Sequence, residues 1–313
     1  PNEDVRDYTM RFISKCLSGE NRDEGFYIWT GSGGNGKSKL VELIQLALGE
    51  YACNLPVALL TQKRKASGAA SPEMARTRGK RFVVMQEPDV NETLNVGEMK
   101  EITGNDKIQA RGLYKEPFEF TPQYKLLLMC NQLPNIPSND DGTWRRLQAV
   151  PFVSRFVNQN DVDKKLNRYA IDRELKKKLP YWIVPFMLIM LNEWKEYDEN
   201  GIHIPDEVTE KTRDYRNSND LIGQWITDCC VEVDNVTKGV NEFAPSEFDS
   251  LYTDFDEWCK DQEEKGPGKR MVKEALKNWQ AKSKYGLSIS KKKSDNLPNG
   301  SEAKPLFNLK VEN

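Results

Sequence analysis

Histidine is almost missing from this chain: His203 is the only one among 313 residues. That leaves Ser-His and Cys-His catalysis, and histidine-ligated metal sites, with almost nothing to work with. The six cysteines, Cys16, Cys53, Cys130, Cys229, Cys230 and Cys259, form no CxxC pair. Zinc fingers are therefore excluded, and a reducing, intracellular compartment is expected. We read His203 and the Cys229-Cys230 pair as structural. Long apolar runs are also missing. The longest, Tyr181 to Leu191, has eleven residues, against the ~20 that span a bilayer, and no secretory signal opens the chain. A soluble protein with no membrane partner follows, with that run as a core or subunit-packing helix. Neither sign of charge dominates: 46 Lys+Arg face 48 Asp+Glu, a net charge of -2 and a pI near 5.8. A uniform basic coat is absent, so any contact with nucleic acid must come from local patches. No internal repeat is found.

What is present is enough for two folded units. The chain is about twice the ~150 residues of one domain, and 7 Trp, 12 Phe and 11 Tyr supply cores that a disordered polymer lacks. Val5, Tyr8, Phe12 and Cys16 lie at helical spacing and Gly19 ends the pattern. Phe26 to Thr30 (FYIWT) reads as a buried strand, Lys37 to Leu48 as an amphipathic helix stopped by Gly49, and 96–102 as a short helix. Arg81 to Met85 (RFVVM) and Lys125 to Cys130 (KLLLMC) read as further strands, with a hairpin over 107–120. Strands separated by crossover-length connections predict an α/β fold with a largely parallel sheet. Residues 61–81 carry seven Lys/Arg and one acid, a basic loop.

After Phe156 the pattern turns helical over 161–199, and the polar stretch 201–220 reads as a linker. The last hundred residues read as a separate unit of three helices, near 220–230, from Pro245-Ser246, and over 269–281. Ser246 and Asp249 stand as a capping box for the second. Strands at 287–289 and 306–311 flank a tip with Asn299-Gly300, and the whole suggests a winged helix. Between Asp261 and Asn313 there are 12 Lys/Arg and 7 acids, with Lys291, Lys292 and Lys293 on the wing, consistent with phosphate contact. The expected boundaries are 1–20, an N-terminal helix; 21–160, the core; 161–218, a helical segment and linker; and 219–313, the winged-helix-like unit.

Between the FYIWT strand and the following helix stands Gly31-Ser32-Gly33-Gly34-Asn35-Gly36-Lys37-Ser38, a full G-x-x-x-x-G-K-[ST]. The glycines let the backbone curl with its N–H groups inward around a phosphate. The helix adds its N-terminal dipole, Lys37 reaches the β- and γ-phosphates, and the Ser38 hydroxyl can ligate Mg²⁺. Hydrolysis needs a carboxylate near the metal and the attacking water, and Glu87, just after RFVVM, is the candidate. Asn131, at the end of KLLLMC, carries a neutral amide suited to orienting that water. Arg145 or Arg146, before the next apolar strand, is a candidate for a finger reaching a neighbouring subunit's γ-phosphate.

In order and spacing, GSGGNGKS (31–38), VVMQEPD (83–89), ITGNDKIQARGLYK (102–115), LLLMCNQLP (126–134) and RRLQAVPF (145–152) resemble the superfamily 3 helicases, the AAA+ ring motors of DNA viruses and phages. The likeness is most specific to the poxvirus-type primase-helicases and continues through IPDEVTEKTRDYRNSND (204–220) to the tail. It implies a P-loop AAA+ core, a homohexamer hydrolysing ATP with Mg²⁺ at subunit interfaces, translocation on single-stranded or forked DNA, and a virus- or phage-infected host cell. It assigns Lys37 and Ser38 to phosphate and magnesium, Glu87 to the Walker B role, Asn131 to the sensor role, and Arg146 rather than Arg145 to the finger. It also places Lys115, with Tyr114 and nearby Arg111, on a DNA-gripping pore hairpin. One departure is that many relatives carry two adjacent acids at Walker B, whereas Gln86 precedes Glu87 here, with Asp89 close by beyond Pro88. The chain opens on Pro1 rather than Met, so a longer polypeptide with an upstream primase is expected. The rival readings are an AAA+ loader or initiator that remodels DNA without unwinding, and a module in which ATP only switches DNA binding.

Overall fold

The structure is a computed structural model, and it describes residues 2–62, 70–88, 92–232, 246–264, 266–282, 306–307 and 309–311. The chain forms two units, Pro1–Asn219 and Asp220–Asn313. In the first, α1 (Glu3–Lys15) starts where the Asn2 side chain accepts the Asp4 N–H, with Glu3 and Asp4 favourably placed against the helix dipole. β1 (Phe26–Thr30) and α2 (Lys37–Leu48) follow, then β2 (Ala52–Asn54), the single turns α3 (Ala58–Thr61) and α4 (Pro72–Ala75), and β3 (Phe82–Gln86). Next come α5 (Val96–Thr103), the antiparallel pair β4 (Ile108–Ala110) and β5 (Phe118–Phe120), β6 (Lys125–Cys130), α6 (Asp141–Trp144) and β7 (Leu147–Pro151).

β2, β3, β6, β1 and β7 form one sheet in that order, with every pairing parallel. A parallel sheet is covered on both sides, so its inner strands read as unbroken apolar runs, and all five residues of β1 and all six of β6 are buried. Alternate residues serve opposite faces. Phe26 and Ile28, with Val83, Met85, Leu126 and Leu128, pack under Met99 and Ile102 of α5. Tyr27 and Trp29, with Phe82, Val84, Leu127 and Met129, pack under Phe12 and Ile13 of α1 and Val41 and Ile44 of α2.

The region after β7 departs from expectation. Residues 161–174 form no α-helix: β8 (Arg155–Val157) and β9 (Arg168–Ala170) pair in parallel, joined by two short 3-10 helices. The Asp163 side chain accepts the Lys165 N–H, and Asn167 is left-handed at φ 54°. Short polar side chains that bond nearby backbone compete with a helix. Only at Leu175 does α7 (Leu175–Asn200) begin, burying Leu179, Phe186 and Met190 against the second face. Tyr181, Val184 and Leu188 of α7 remain exposed.

The stretch read as a linker is α8 (Asp206–Asn219), docked on the edge strand β7. The Thr212 hydroxyl accepts the Ala149 N–H at 3.0 Å, Val208 and Tyr215 are buried, and the Tyr215 hydroxyl donates to the Pro134 carbonyl. A helix that buries only one narrow stripe reads as polar, yet it covers a sheet edge that would otherwise be open.

The second unit packs α9 (Leu221–Cys229), α10 (Phe248–Asp261) and α11 (Lys269–Lys282) around Trp225, Leu251, Phe255, Val272 and Leu276. Asp220 caps α9 by accepting the Gly223 N–H at 2.9 Å. The side chain of Ser246, read as part of a capping box, lies outside the described residues. β11 (Ser246–Glu247) pairs antiparallel with β12 (Leu306–Phe307), and α10 starts at Phe248. β10 (Cys230–Glu232) pairs likewise with β13 (Leu309–Val311). The expected strand 287–289, the Asn299-Gly300 tip and Lys291 to Lys293 lie outside the described residues, as do 63–69 of the basic loop and Asp89. No described helix is long and apolar enough to cross a membrane.

Candidate nucleotide and DNA site

In an open parallel sheet, ligands bind beyond the carboxyl ends of the strands, and there the chain leaves β1 into residues 31–38. Gly31, Gly34 and Gly36 take positive φ of 147°, 75° and 89°, a region costly for other residues. A Cβ on Gly31 would also stand 2.4 Å from the Phe152 carbonyl oxygen. The loop is braced by Asn35, which is buried. Its Nδ2 donates to the Phe152 carbonyl and its Oδ1 accepts the Lys37 N–H, both at 3.4 Å. Lys37 opens α2, and its Nζ donates to the Gly31 carbonyl at 2.7 Å. Ser32, Gly33, Gly34 and Ser38 are exposed around this curl, at the positive end of the α2 dipole.

Lys37 is buried, and desolvation pulls its pKa below the ordinary lysine value, opposed by Cys130 and Glu87. Burial pushes the Cys130 thiol itself up to about 11, so at neutral pH that thiol is uncharged. Glu87 is then the counter-charge that Lys37 experiences.

The register places the other candidates. Thr30 is level with Cys130, so Asn131 follows β6 beside Gly31, and the Thr30 hydroxyl donates to the Asn131 carbonyl at 3.4 Å. Glu87 follows β3, one strand further, with its N–H donating to the Met129 carbonyl at 2.9 Å. At ~4.8 Å per strand, the backbones of Gly31 and Glu87 are ~10 Å apart with Asn131 between them. Both side chains are exposed at this edge. Glu87 has φ of 50°, a left-handed conformation that costs an L-residue roughly 1–2 kcal/mol. Pro88 restricts the α region for the residue before it, and the resulting kink sets where the carboxylate leaves the strand.

The oxygen donors Ser38 and Glu87 suit a hard cation. Mg²⁺ keeps several waters and takes one or two protein oxygens together with phosphate oxygens. Among the described residues no cluster of three or more His, Cys, Asp or Glu side chains forms a dedicated cage.

Arg145 and Arg146 lie at the opposite end of the sheet. The Arg146 carbonyl accepts the Phe26 N–H at 2.7 Å, where β1 begins, so the length of β1, roughly 16 Å, separates the pair from the 31–38 loop of their own chain. Arg146, the arginine the resemblance favours, has only 12% of its side chain exposed; it is ion-paired to Glu24 and donates to the Gly142 carbonyl at 2.8 Å. Arg145 is 70% exposed and stands 4.0 Å from Glu24. The turn that presents them is held by Asp140. Burial works against its charge, but hydrogen bonds from Lys100, Ser138 and Thr143 keep its carboxyl well below the usual range.

The hairpin β4–β5 carries the remaining candidates. Its tip is closed by the Lys115 N–H on the Gly112 carbonyl at 3.3 Å and by Arg111 Nε on the Lys115 carbonyl at 3.0 Å. Tyr114 sits at φ 56° and is fully exposed, with Leu113 and Lys115 exposed on either side. A hairpin tip offering an aromatic ring and an ammonium suits contact with bases and phosphates. Sequence reasoning missed Phe152 and Phe156, which line the far flank of the 31–38 loop. The only signal was the place of Phe152 directly after a buried strand; Phe156, inside β8, had none.

These features define a parallel α/β core with a glycine-rich loop, Asn131 and Glu87 at the carboxyl edge of the sheet. A family of unknown function, DUF5906, matches residues 29–146, from the end of β1 to Arg146. The chain is similar to viral proteins named as helicases and primases. It is 42% identical over 267 residues to "Putative helicase L207/L206" of Acanthamoeba polyphaga mimivirus, covering 83% of this chain and 27% of that protein. It is 35% identical over 234 residues to "Putative helicase 022R" of Frog virus 3, covering 72% and 24%. It is 27% identical over 243 residues to "Putative primase C962R" of African swine fever virus, covering 74% and 25%. The chain thus spans about a quarter of the length of these relatives. Among solved structures, the apo C-terminal region of NrS-1 matches with a TM-score of 0.48 and 14% identity, over 71% of this chain and 50% of that one.

Proposed function

We propose that this chain is the ATPase region of a viral replicative DNA helicase of the superfamily 3 type, active as a homohexameric ring on single-stranded or forked DNA. The observation that carries the reading is the meeting of the 31–38 loop, Asn131 and Glu87 at one carboxyl edge of a parallel sheet. The similarity to viral proteins named helicases and primases supports placing the activity in DNA replication, alongside primer synthesis.

In this account the loop N–H groups and Lys37 hold the β- and γ-phosphates. Ser38 and Glu87 hold Mg²⁺, which supplies charge neutralisation when bound. Asn131 orients the attacking water and Glu87 accepts its proton as the γ-phosphoryl group is released as phosphate, leaving ADP. The distance of Arg145 and Arg146 from their own loop favours action on a neighbouring subunit. Exposed Arg145 is the finger and Arg146, clamped by Glu24, positions it. The exposed Tyr181, Val184 and Leu188 on α7 are available for subunit packing. Lys115 and Tyr114 grip the strand in the ring's pore, and the C-terminal unit, a winged-helix-like module in this reading, adds DNA contact.

The test is nucleotide turnover with and without single-stranded DNA. The parent hydrolyses ATP and DNA stimulates it, while Lys37→Ala and Glu87→Gln each lose at least ~100-fold. Lys115→Ala keeps basal turnover and loses unwinding. Turnover without any unwinding by the parent would favour a loader, and absence of turnover would favour a nucleotide switch.

A further inference from the structure

We propose that Phe156, backed by Tyr169, is the stacking platform for the base of the bound nucleoside triphosphate. The inference rests on the phosphate-loop reading and adds where the nucleoside lies and how selectively it is held. β1 has β6 on one side and β7 on the other. The residues assigned to hydrolysis, Asn131 and Glu87, follow β6 and β3, so the γ end of the triphosphate points to that side. The nucleoside end is left to the β7 side. There the chain after β7 runs back along the loop: the Phe156 N–H donates to the Gly34 carbonyl at 2.7 Å. The edge of the Phe156 ring comes within 3.0 Å of the position a Cβ on Gly36 would occupy.

Phe156 is 41% exposed although it abuts the loop, so an open ring is presented beside the phosphate cradle. Tyr169 is its register partner across β8 and β9, and the two rings lie 6.3 Å apart at 45°. An aromatic face holds any base by stacking, and base–aromatic stacking tolerates base identity because every base has a π-face. The ligand class is therefore a nucleoside triphosphate held without strong choice of base, adenine and guanine alike.

The test compares Mg²⁺ complexes of non-hydrolysable ATP and GTP analogues with tripolyphosphate, which lacks a nucleoside, by calorimetry on the whole chain. Phe156→Ala and Phe156→Leu should weaken both nucleotides about ten-fold, which is ~1.4 kcal/mol, and leave tripolyphosphate unchanged. Phe156→Trp should bind both nucleotides at least as well as the parent. The backbone bond to Gly34 survives every one of these substitutions. Equal weakening of tripolyphosphate would mean that Phe156 only shapes the loop through Gly36, and parent-like nucleotide binding by Phe156→Leu would mean that apolar packing suffices. Either result overturns the platform. If tripolyphosphate bound equally to the parent and Lys37→Ala, the phosphate-loop reading would fail and the platform with it.

Discussion

Arg145 and Arg146 are adjacent, yet their surroundings predict opposite consequences of removal. Arg146→Ala deletes a guanidinium that is 12% exposed and leaves Glu24, 30% exposed, with Arg145 at 4.0 Å as its remaining partner. It also strips a donor from the Gly142 carbonyl. Breaking a fully buried ion pair costs about 3–5 kcal/mol. Here Glu24 keeps some water and Arg145 can move closer, and Arg146 Nε already lacks a partner, so roughly 2 kcal/mol is expected. In a unit of Pro1–Asn219, ~2–4 °C of melting temperature per kcal/mol gives a fall of about 4–8 °C. Arg145→Ala removes a side chain that is 70% exposed, and such changes stay within about 0.5 kcal/mol. Thermal unfolding read by circular dichroism, beside ATP turnover for each variant, separates the roles. Arg145→Ala should melt with the parent and lose turnover, whereas Arg146→Ala should melt early, with Arg146→Lys in between. An Arg146→Ala protein that melts with the parent, or an Arg145→Ala protein that hydrolyses normally, would refute the division of labour.

The remaining expectations concern charge burial and the loop. Lys125 is buried at the start of β6, its Nζ donates to the Ser18 and Glu20 carbonyls at 2.8 and 2.5 Å, and burial lowers its pKa to about 8. Between about pH 8 and 10.5 the unfolded chain holds a proton there that the folded chain releases, so this residue's contribution to stability rises with pH across that window. Denaturant unfolding should show the parent gaining on Lys125→Met from pH 7.5 to 10, and a pH-independent difference would contradict the burial argument. Gly31→Ala meets both a φ of 147° and the Phe152 carbonyl. It should lower stability by roughly 1–3 kcal/mol and abolish nucleotide binding by calorimetry; binding at parental affinity would show that the loop tolerates a different path.

Much of the core was legible because its strands are covered on both faces. FYIWT and KLLLMC read as apolar runs, and the loop that follows β1 needs glycines at left-handed positions, which a sequence displays directly. Glu87 and Asn131 were visible for the same reason, as polar residues directly after buried strands. What stayed hidden depends on long-range pairing. Arg146 meets Glu24 across 122 positions, and no local pattern announces which of two adjacent arginines is clamped. The β8–β9 pair consists of three-residue strands in a polar stretch, held partly by Phe156 on Gly34. α8 looked like a linker because its ties to the core, through Val208, Thr212, Tyr215, Arg216 and Asn219, are spread over a mostly polar sequence.

The central claim is that each hydrolytic site is shared by two copies of the chain, and complementation tests it most directly. Lys37→Ala and Arg145→Ala proteins, each inactive alone, are mixed in equal amounts during assembly and assayed for ATP turnover. Each head-to-tail interface needs Lys37 from one copy and Arg145 from the next, so about a quarter of the interfaces in mixed rings should be intact. Turnover should then return to a comparable fraction of the parent's. A mixture as inactive as its two components would contradict the shared site.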